Sequence, residues 1–354
     1  MKRAWINVGV GVGCVGLLMT LLLSAMLSAR ESARRSQCKN NLKQWGIALH
    51  NYHGLNQSFP PYACGLDQQR LSGRVLLLPF LDQNRILSDT SMVLQAPSHR
   101  DPLKVELSDP QEISVFLCPS SDIPSRVDQQ PHASYAFNAG DVIDFRGTFY
   151  STGPTNLGVE DFPMAERTRG PFGWRWGARI RDILDGTSNT IAMAERDLGH
   201  PKFARDVRGQ VASAPAASPA DCLSLTLNGQ YLSSTKSLNE RMGERWASGH
   251  PFYSVMLTAL PPNGPSCAAS APPSGPSVGG WFTASSRHVN SANTRGCHVL
   301  MCDGVVRFVN EDINHETKGT PGLKAIKPQE DASCYGIWGQ LGSIAGGDGL
   351  VCCY

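Results

Sequence analysis

The beginning of the chain contains a long apolar stretch. Residues 4–29 carry no charge, and their clearly polar members are Asn7, Thr20, Ser24 and Ser28. As a helix with a rise of 1.5 Å per residue, this stretch would extend for roughly 39 Å, which exceeds the ~30 Å hydrocarbon core of a bilayer. The apolar region of a cleaved signal peptide spans only about 7 to 15 residues. The pattern therefore predicts a transmembrane helix that is not removed.

The helical pattern continues beyond the apolar stretch. Residues 30–53 lack proline, and their apolar or bulky positions recur at intervals of four, three, four and three: Cys38, Leu42, Trp45, Leu49 and Tyr52. These intervals place the side chains on one face of a helix. We therefore expect one helix of about 50 residues, apolar first and amphipathic afterwards. It should end before Phe59-Pro60-Pro61, because proline cannot continue a helix.

The remaining sequence favours β-structure. The β-prone runs 297–302 and 305–309 are separated by Asp303-Gly304, which predicts a hairpin with a two-residue type I′ turn and makes Asp303 a turn residue. Further β-prone segments, between turns that contain glycine or proline, are 112–117, 187–194, 223–227, 252–257 and 279–284. The predicted fold class is α+β, with the long N-terminal helix packed on a mainly antiparallel β-sheet head with long loops.

These patterns divide the chain into three parts. We expect residues 1–29 to form a short cytoplasmic end and the anchor, residues 30–55 to form the amphipathic extension of the same helix, and residues 56–354 to form the head.

Charged residues make up 18% of the chain, less than the ~25% of typical soluble domains. Residues 1–45 hold seven bases and one acid, so the rest carries 25 bases against 29 acids. No basic surface is left over for a nucleic-acid partner.

Charge and cysteine content point to different orientations of the anchor. Lys2 and Arg3 precede the apolar stretch, but Arg30, Arg34 and Arg35 follow it, which by charge alone favours a cytoplasmic head. Ten of the 11 cysteines lie beyond the stretch, and an even set suits disulfides in an oxidising compartment. Isolated thiols or a metal site remain alternatives, although no Cys-x-x-Cys pair occurs. We expect an inner-membrane protein whose head lies in the periplasm or on the cell surface.

Several motifs of the chain resemble those of one bacterial family. They are LLLSAMLSARESARRSQCKNNLKQWGIALHNYH (21–53), VFLCPSSD (115–122), SYAFNAG (134–140), RIRDILDGTSNTIAMAER (179–196), RWASGHPFYSV (245–255) and SSRHVNSANTRGCHVLMCDGVVRFV (285–309). The chain is thereby similar to pilin-like proteins with a prepilin-type N-terminal domain and the domain of unknown function fifteen-fifty-nine. Their layout is that of type IV pilins and type II secretion pseudopilins. The resemblance implies a membrane-anchored envelope protein with a pilin-like helix and a β-rich head, and it does not imply a catalytic activity.

The chain departs from the family pattern at both ends. Lys2 occupies the position of the glycine at the prepilin cleavage point, and Asn7 occupies that of the signature glutamate, which in pilins pairs with a neighbouring subunit's amino terminus. Processing and filament assembly are therefore open. The family's C-terminal signature has nine residues between its histidine and Asp-Gly, whereas fourteen separate His288 from Asp303. A direct contact between these two residues is open as well.

The sequence offers no catalytic or cofactor-binding set. It lacks a Gly-x-Ser-x-Gly elbow, a His-Glu-x-x-His motif and a phosphate-binding loop. His50 and His53 share a helix face but are expected to pack or to contact solvent, and Glu195 and Asp197 are expected to form salt bridges with Arg179, Arg181 or Arg196. Loops 185–189 and 346–349 lack the alternating acids of an EF-hand. They read as turns, with calcium as a weak alternative, and we assign no metal ligand.

Two functions follow as expectations. The first is a pilin- or pseudopilin-like structural protein, which contacts the lipid bilayer and other pilin-like subunits through its N-terminal helix and belongs to a type II secretion or type IV pilus-like assembly. The alternative is a membrane-tethered binding module whose head captures a carbohydrate, a peptide or an ion. Tryptophans available to line its cleft are Trp174, Trp176, Trp246, Trp281 and Trp338. Neither function makes the chain an enzyme.

Overall fold

The computed structural model describes eleven parts of the chain: residues 2–64, 71–83, 86, 112–123, 131–141, 168–213, 218–235, 238–268, 280–287, 295–315 and 333–345. For residues 2–15, 18 and 24 the description covers the backbone alone. The chain is an α+β protein in which a long N-terminal helix packs on a head of antiparallel and mixed β-sheets. The predicted fold class is confirmed at this level.

Helix α1 spans Lys2–Asn56, a length of 55 residues. Gln57 follows it in the left-handed conformation with φ +57°, and its N–H donates to the carbonyl of His53 at 2.7 Å. This conformation ends many helices, and Pro60 and Pro61 prevent any continuation. The prediction of one continuous helix through the apolar and the amphipathic segments is confirmed.

The head is built from short strands and helices. The strands are β1 Ala63–Cys64, β2 Leu71–Ser72, β3 Tyr135–Asn138, β4 Ile191–Glu195, β5 Val211–Ser213, β6 Thr226–Leu227, β7 Gln230–Tyr231, β8 Leu238–Asn239, β9 Val255–Met256, β10 Ser266–Ala268, β11 Gly280–Trp281, β12 Gly296–Met301 and β13 Val306–Asn310. The helices after α1 are α2 Gly73–Leu77, α3 Pro219–Ser224, α4 Pro251–Ser254 and α5 Gly336–Gly342. Short 3₁₀ helices lie at Leu78–Leu81, Ser114–Phe116, Ile180–Asp182 and Pro201–Phe203.

The strands form two larger sheets. One has the order β13-β12-β4-β3-β9 and is antiparallel except where β3 pairs with β9. The other has the order β11-β10-β5-β8, with β10 and β5 parallel. The pairs β1–β2 and β6–β7 form two small hairpin-like sheets.

The five-stranded sheet is covered on both faces. Successive residues of a strand point to opposite faces. Leu300 of β12 accordingly joins the core that contains Trp45 of α1, whereas Val299 and Met301 join a second core with Trp338 of α5. Because helices cover both faces, all side chains of β3 and β4 are buried.

The amphipathic half of α1 packs on this sheet as predicted. Cys38, Leu42, Trp45 and Leu49 are at most 1% exposed. The Trp45 ring lies 4.7 Å from that of Phe116, and its Nε1–H donates to the carbonyl of Val115 at 3.2 Å. The stripe therefore combines apolar burial with a satisfied polar atom, so the helix cannot rotate without losing both.

The predicted hairpin exists, but its turn is of another type. Gly304 has φ +86°, whereas Asp303 has a negative φ, so the two residues do not form a type I′ turn. The N–H of Met301 donates to the carbonyl of Val305, and the N–H of Gly304 donates to that of Met301. This pattern is a three-residue loop with glycine in the left-handed position. A Cβ on Gly46 of α1 would lie 3.4 Å from the Cα of Gly304, so the loop rests closely on the helix.

The predicted strand at residues 112–117 is wrong. Ser114–Phe116 is a 3₁₀ helix. The carbonyls of Ser114, Val115 and Leu117 accept from side chains of α1 rather than from a neighbouring strand, and that of Phe116 alone accepts from the backbone beside β3, at Ser134. Asn41 Nδ2 donates to the carbonyl of Leu117 at 2.8 Å, and the carbonyl of Val115 accepts from Trp45. The predicted segments 223–227 and 252–257 are helical in their first parts, within α3 and α4.

Candidate functional site

The apolar half of α1 exposes those of its side chains that the structure describes. The described large side chains between residues 17 and 27 are 46–65% exposed: Leu17, Met19, Leu21, Leu22, Leu23, Met26 and Leu27. They point in all directions around the helix, because consecutive residues are included. Among the residues that the structure describes, no helix combines the length and the apolar character that crossing a membrane requires. Lys2 and Asn7 lie within α1, and their side chains are outside the described part.

A disulfide fastens α1 to the head. Cys38 of the helix is bonded to Cys118, and a second disulfide joins Cys222 of α3 to Cys267 of β10. Disulfides are therefore confirmed for four of the ten cysteines beyond the apolar stretch. Cys302 stays a buried thiol, and burial raises its pKa far above the usual value, so it is a poor nucleophile. Cys352 and Cys353 lie outside the described residues.

A buried cluster of possible metal ligands surrounds the first disulfide. Cys38, Cys118 and Glu195 place ligand atoms within 4.8 Å of one another, and Cys118 Sγ lies 3.9 Å from Glu195 Oε1. Both sulfurs are already bonded to each other, however, and a metal needs thiolates. Glu195 also accepts a hydrogen bond from the N–H of His298 at 2.8 Å. The cluster therefore acts as a structural joint between α1 and β4.

Glu195 and Asp197 do not pair with the arginines that the sequence suggested. Glu195 lies 3.1 Å from His298 Nδ1, and Asp197 forms an ion pair with Arg287. Burial raises the pKa of Asp197 to about 6, although Arg287 acts in the opposite direction. Sequence distance explains the error, because Arg287 and His298 are about a hundred residues from these acids.

Arg196 instead belongs to a pair of buried guanidinium groups. Arg196 and Arg74 are both fully buried, and both donate to the carbonyl of Tyr253 at the end of α4. Arg74 Nη2 also donates to the carbonyl of Tyr135, and Arg196 Nη1 to that of Val255 at 2.8 Å. Burial lowers the pKa of Arg196 to about 9. Since the two groups satisfy backbone carbonyls, they link α2, β3, β4 and α4, a role that no sequence pattern signalled.

Asp303 behaves as a turn residue, as predicted. Its Oδ1 accepts from the N–H of Val305 at 2.9 Å, and its own N–H donates to the carbonyl of Thr187 at 3.1 Å. These bonds hold the loop of the β12–β13 hairpin in place against the segment before β4. His288 lies outside the described residues, so its relation to Asp303 stays a prediction.

The loop at residues 185–189 is a turn in the structure. The N–H of Asn189 donates to the carbonyl of Gly186 at 3.0 Å, and its Nδ2 donates to the carbonyl of Asp185 at 3.1 Å. Among the residues that the structure describes, the cluster at Cys38 is the one group of metal-ligand side chains. The other candidate calcium loop, 346–349, lies outside them.

The two histidines of α1 have different surroundings. His53 Nε2 accepts from the N–H of Ile180 at 3.3 Å, and burial, with His50 nearby, lowers the pKa of His53. The His50 ring packs edge-on against Phe59 at 6.1 Å. Both side chains therefore serve packing and hydrogen bonding within the head.

The five tryptophans offered for a binding cleft are mostly in the core. Trp246, Trp281 and Trp338 are at most 2% exposed, and Trp174 is 8% exposed. Trp176 alone of the five is half-buried, and it lies beside a cleft at the end of α1. The structure therefore places Trp176 at this cleft and packs the other four tryptophans into the core, and a tryptophan-lined binding cleft stays a prediction.

Comparison with known proteins places the chain in a family. Residues 27–316 match the model of the family described as "Protein of unknown function (DUF1559)", and the chain belongs to this family. The matched region begins near the end of the apolar stretch and includes the amphipathic half of α1 and both larger sheets. No curated protein and no solved structure shows significant similarity to the chain.

Proposed function

We propose that the chain is a membrane-anchored structural protein of the cell envelope with the layout of a pilin or pseudopilin. The observation that carries the proposal is the change of surface along α1. The described large side chains between Leu17 and Leu27 are apolar and exposed, whereas those between Cys38 and Leu49 include a stripe that is buried in the head. A helix that is apolar around its whole circumference is stable when lipid or protein covers it.

A lipid bilayer would cover the exposed apolar side chains of this half of α1. The uncharged stretch 4–29 is long enough for the hydrocarbon core, and charged residues begin directly on both sides of it, at Arg3 and Arg30. Arg30 and Arg34 are exposed, as expected for bases at the level of the lipid head groups. The amphipathic half then holds the head at the membrane surface.

The disulfides support a head in an oxidising compartment. Such bonds persist in the periplasm and at cell surfaces and are rare in the cytosol. The amino end would then lie in the cytoplasm. Since Asn7 lacks the carboxylate of the pilin signature, we propose anchoring as the main role. Packing of α1 against other pilin-like subunits, in a type II secretion or pilus-like assembly, would extend that role.

Mechanical shearing of cells that make the full chain tests both levels of the proposal. The high-molecular-weight material released by shearing and the membranes are blotted with an antibody to the head. We expect recovery in the membranes at full mass, resistance to extraction by alkaline carbonate, and release by detergent. Enrichment in the sheared pellet would show assembly as well. Recovery as a soluble protein without detergent would contradict anchoring.

A further inference from the structure

A cleft lies at the end of α1 that is remote from the apolar stretch. Its volume is about 770 Å³, within the ~300–1,000 Å³ typical of small-molecule sites. The side chains of His53, Arg175, Trp176, Arg179 and Arg181 and residues 56–58 line it. From residue 29 to His53, α1 extends for roughly 36 Å, so the cleft and the apolar stretch are separate surfaces.

The floor of the cleft is firmly connected to α1. The N–H of Phe59 donates to the carbonyl of Ala178 at 2.9 Å, and the N–H of Ile180 donates to His53 Nε2 at 3.3 Å. A Cβ on Gly177 would lie 1.9 Å from the carbonyl oxygen of Phe59, so only glycine permits this approach. The two lining segments are thus held at a fixed distance, which lowers the entropic cost of binding a ligand between them.

A tight turn at residues 173–176 forms one edge of the cleft and exposes an arginine. The N–H of Gly173 donates to the carbonyl of Trp176 at 2.8 Å, and Arg175, within this turn, has φ +58°. A left-handed conformation is unfavourable for an arginine, and strained residues cluster at binding sites. The turn exposes Arg175 next to the half-buried Trp176.

The cleft has an excess of positive charge that the described carboxylates do not balance, although the Arg175 guanidinium lies 5.7 Å from the ring centroid of Trp174. Its lining holds three exposed arginines and no acidic residue. Arg181 has one carboxylate nearby, Asp182 at 3.9 Å, and its side chain is 73% exposed. Among the described residues, no carboxylate lies within ion-pair distance of the guanidinium group of Arg175 or of Arg179. This excess contrasts with residues 46–354 as a whole, in which acids outnumber bases by 29 to 25.

We propose that this cleft binds an acidic carbohydrate, that is, a sugar chain with carboxylate or sulfate groups. Guanidinium groups bind carboxylate and sulfate through paired, charge-assisted hydrogen bonds. The half-buried indole of Trp176 offers an apolar face for a sugar ring. The amide nitrogens of Asn56 and Gln57 already donate to the carbonyls of Tyr52 and Gly54, and their amide oxygens and the hydroxyl of Ser58 are offered to the sugar hydroxyls. Among the described lining residues, Trp176 is the one large aromatic side chain besides the imidazole of His53, and none belongs to a strand, so a stacked nucleic acid or an extended peptide is disfavoured.

Direct binding measurements test the proposal with the full chain in detergent micelles. Isothermal titration uses four probes: a galacturonate hexasaccharide, a heparin hexasaccharide, a neutral cellohexaose and inorganic sulfate. We expect one or both acidic hexasaccharides to bind, with an affinity that falls as salt rises. Heparin carries carboxylates as well as sulfates, so binding of the galacturonate probe would show that carboxylates suffice, whereas binding of heparin alone would show that sulfate is required. Cellohexaose and inorganic sulfate should bind at least tenfold more weakly than the acidic hexasaccharide.

Variants locate the binding in the cleft. Arg179→Gln should weaken the binding of the acidic hexasaccharide by about tenfold or more, since one charge-assisted pair is lost. Trp176→Ala should weaken it by a similar factor, whereas Trp176→Phe should restore part of the affinity. Arg30→Gln removes an exposed arginine at the other end of the amphipathic half and should change nothing. Circular dichroism verifies that each variant is folded.

Three results would overturn the proposal. One is the absence of binding by either acidic hexasaccharide to the folded protein. Another is an unchanged affinity in Arg179→Gln, which would place the binding elsewhere. The third is equal affinity for inorganic sulfate and for the acidic hexasaccharides, with no effect of Trp176→Ala. That outcome would indicate an anion site without recognition of a sugar.

Discussion

The two halves of α1 are equally helical and both rich in apolar residues, but they bury these residues differently. In the amphipathic half, Trp45 and Leu49 are at most 1% exposed. In the apolar half, Leu22 and Leu27 are 62% and 65% exposed. The difference shows that apolar content alone does not decide burial in the head. The spacing of apolar residues decides it, because the head covers only one face of the helix.

Polar neighbours explain the contrast. Between the buried positions of the amphipathic half lie Lys39, Asn40, Lys43 and Gln44, all exposed, and they leave one apolar stripe for the sheet. Residues 21–23 are three consecutive leucines, so no orientation of that half could hide them all against one surface. A cover that surrounds the helix, such as lipid, is the solution that we propose.

The largest effect is expected when charges are placed in the apolar half. Leu22→Asp combined with Met26→Asp places two carboxylates one turn apart, at a cost of up to roughly 5–7 kcal/mol, the value for two acids at the centre of a transmembrane helix. The protein should then move from the membrane to the soluble fraction with its head intact. Fractionation followed by blotting measures the distribution.

The matched control makes the same change of charge in the amphipathic half. Asn40→Asp with Gln44→Asp also places two carboxylates one turn apart, at exposed positions. This variant should remain in the membrane fraction. If the variant with acids at 22 and 26 remained there too, the apolar half would not be what anchors the chain.

The next effect concerns the stability of the head. Trp45→Ala removes the largest side chain of the stripe, together with its contact to Phe116 and its hydrogen bond to Val115, and should lower the free energy of unfolding by about 3–5 kcal/mol. Near-ultraviolet circular dichroism during urea unfolding measures the change. Ile47→Ala, at a position 61% exposed, should change stability by no more than about 0.5 kcal/mol. Similar losses in both variants would mean that the stripe does not distinguish the two faces of the helix.

Removal of the disulfide between α1 and the head should have the third-largest effect. Replacing Cys38 and Cys118 together by alanine opens a loop of 80 residues, for which a loss of about 2–4 kcal/mol is typical. The corresponding change at Cys222 and Cys267 opens a loop of 45 residues. The loop-entropy model then predicts a loss smaller by about 0.5 kcal/mol. Urea unfolding of both double variants, compared with the unmodified protein, provides the ranking, and the reverse order would argue against a loop-entropy origin.

Local patterns in the sequence predicted α1 and the β12–β13 hairpin, because their signals lie in neighbouring residues. The amphipathic stripe was correct from its spacing alone. Partners distant in sequence were not predictable. The segment 112–117, expected as a strand, contains a 3₁₀ helix because α1 supplies hydrogen-bond donors to its carbonyls. Asp197 pairs with Arg287, which lies ninety residues further along the chain. The cleft likewise lies between the end of α1 and residues 175–181. The sequence shows these residues, but it does not show that folding brings the two segments together.

The smallest effect concerns the histidine at the end of the amphipathic half. Burial lowers the pKa of His53 below its usual value near 6.5, and its Nε2 accepts from the N–H of Ile180, which requires the neutral ring. Below about pH 6.5 the unfolded chain therefore binds this proton more readily than the folded protein, so the stability that His53 contributes is lost as the pH falls. His53→Gln keeps an acceptor that does not titrate. Between pH 7.5 and 5 the unmodified protein should lose slightly more free energy of unfolding than this variant, and equal losses would mean that the bond to Ile180 does not depend on the neutral imidazole.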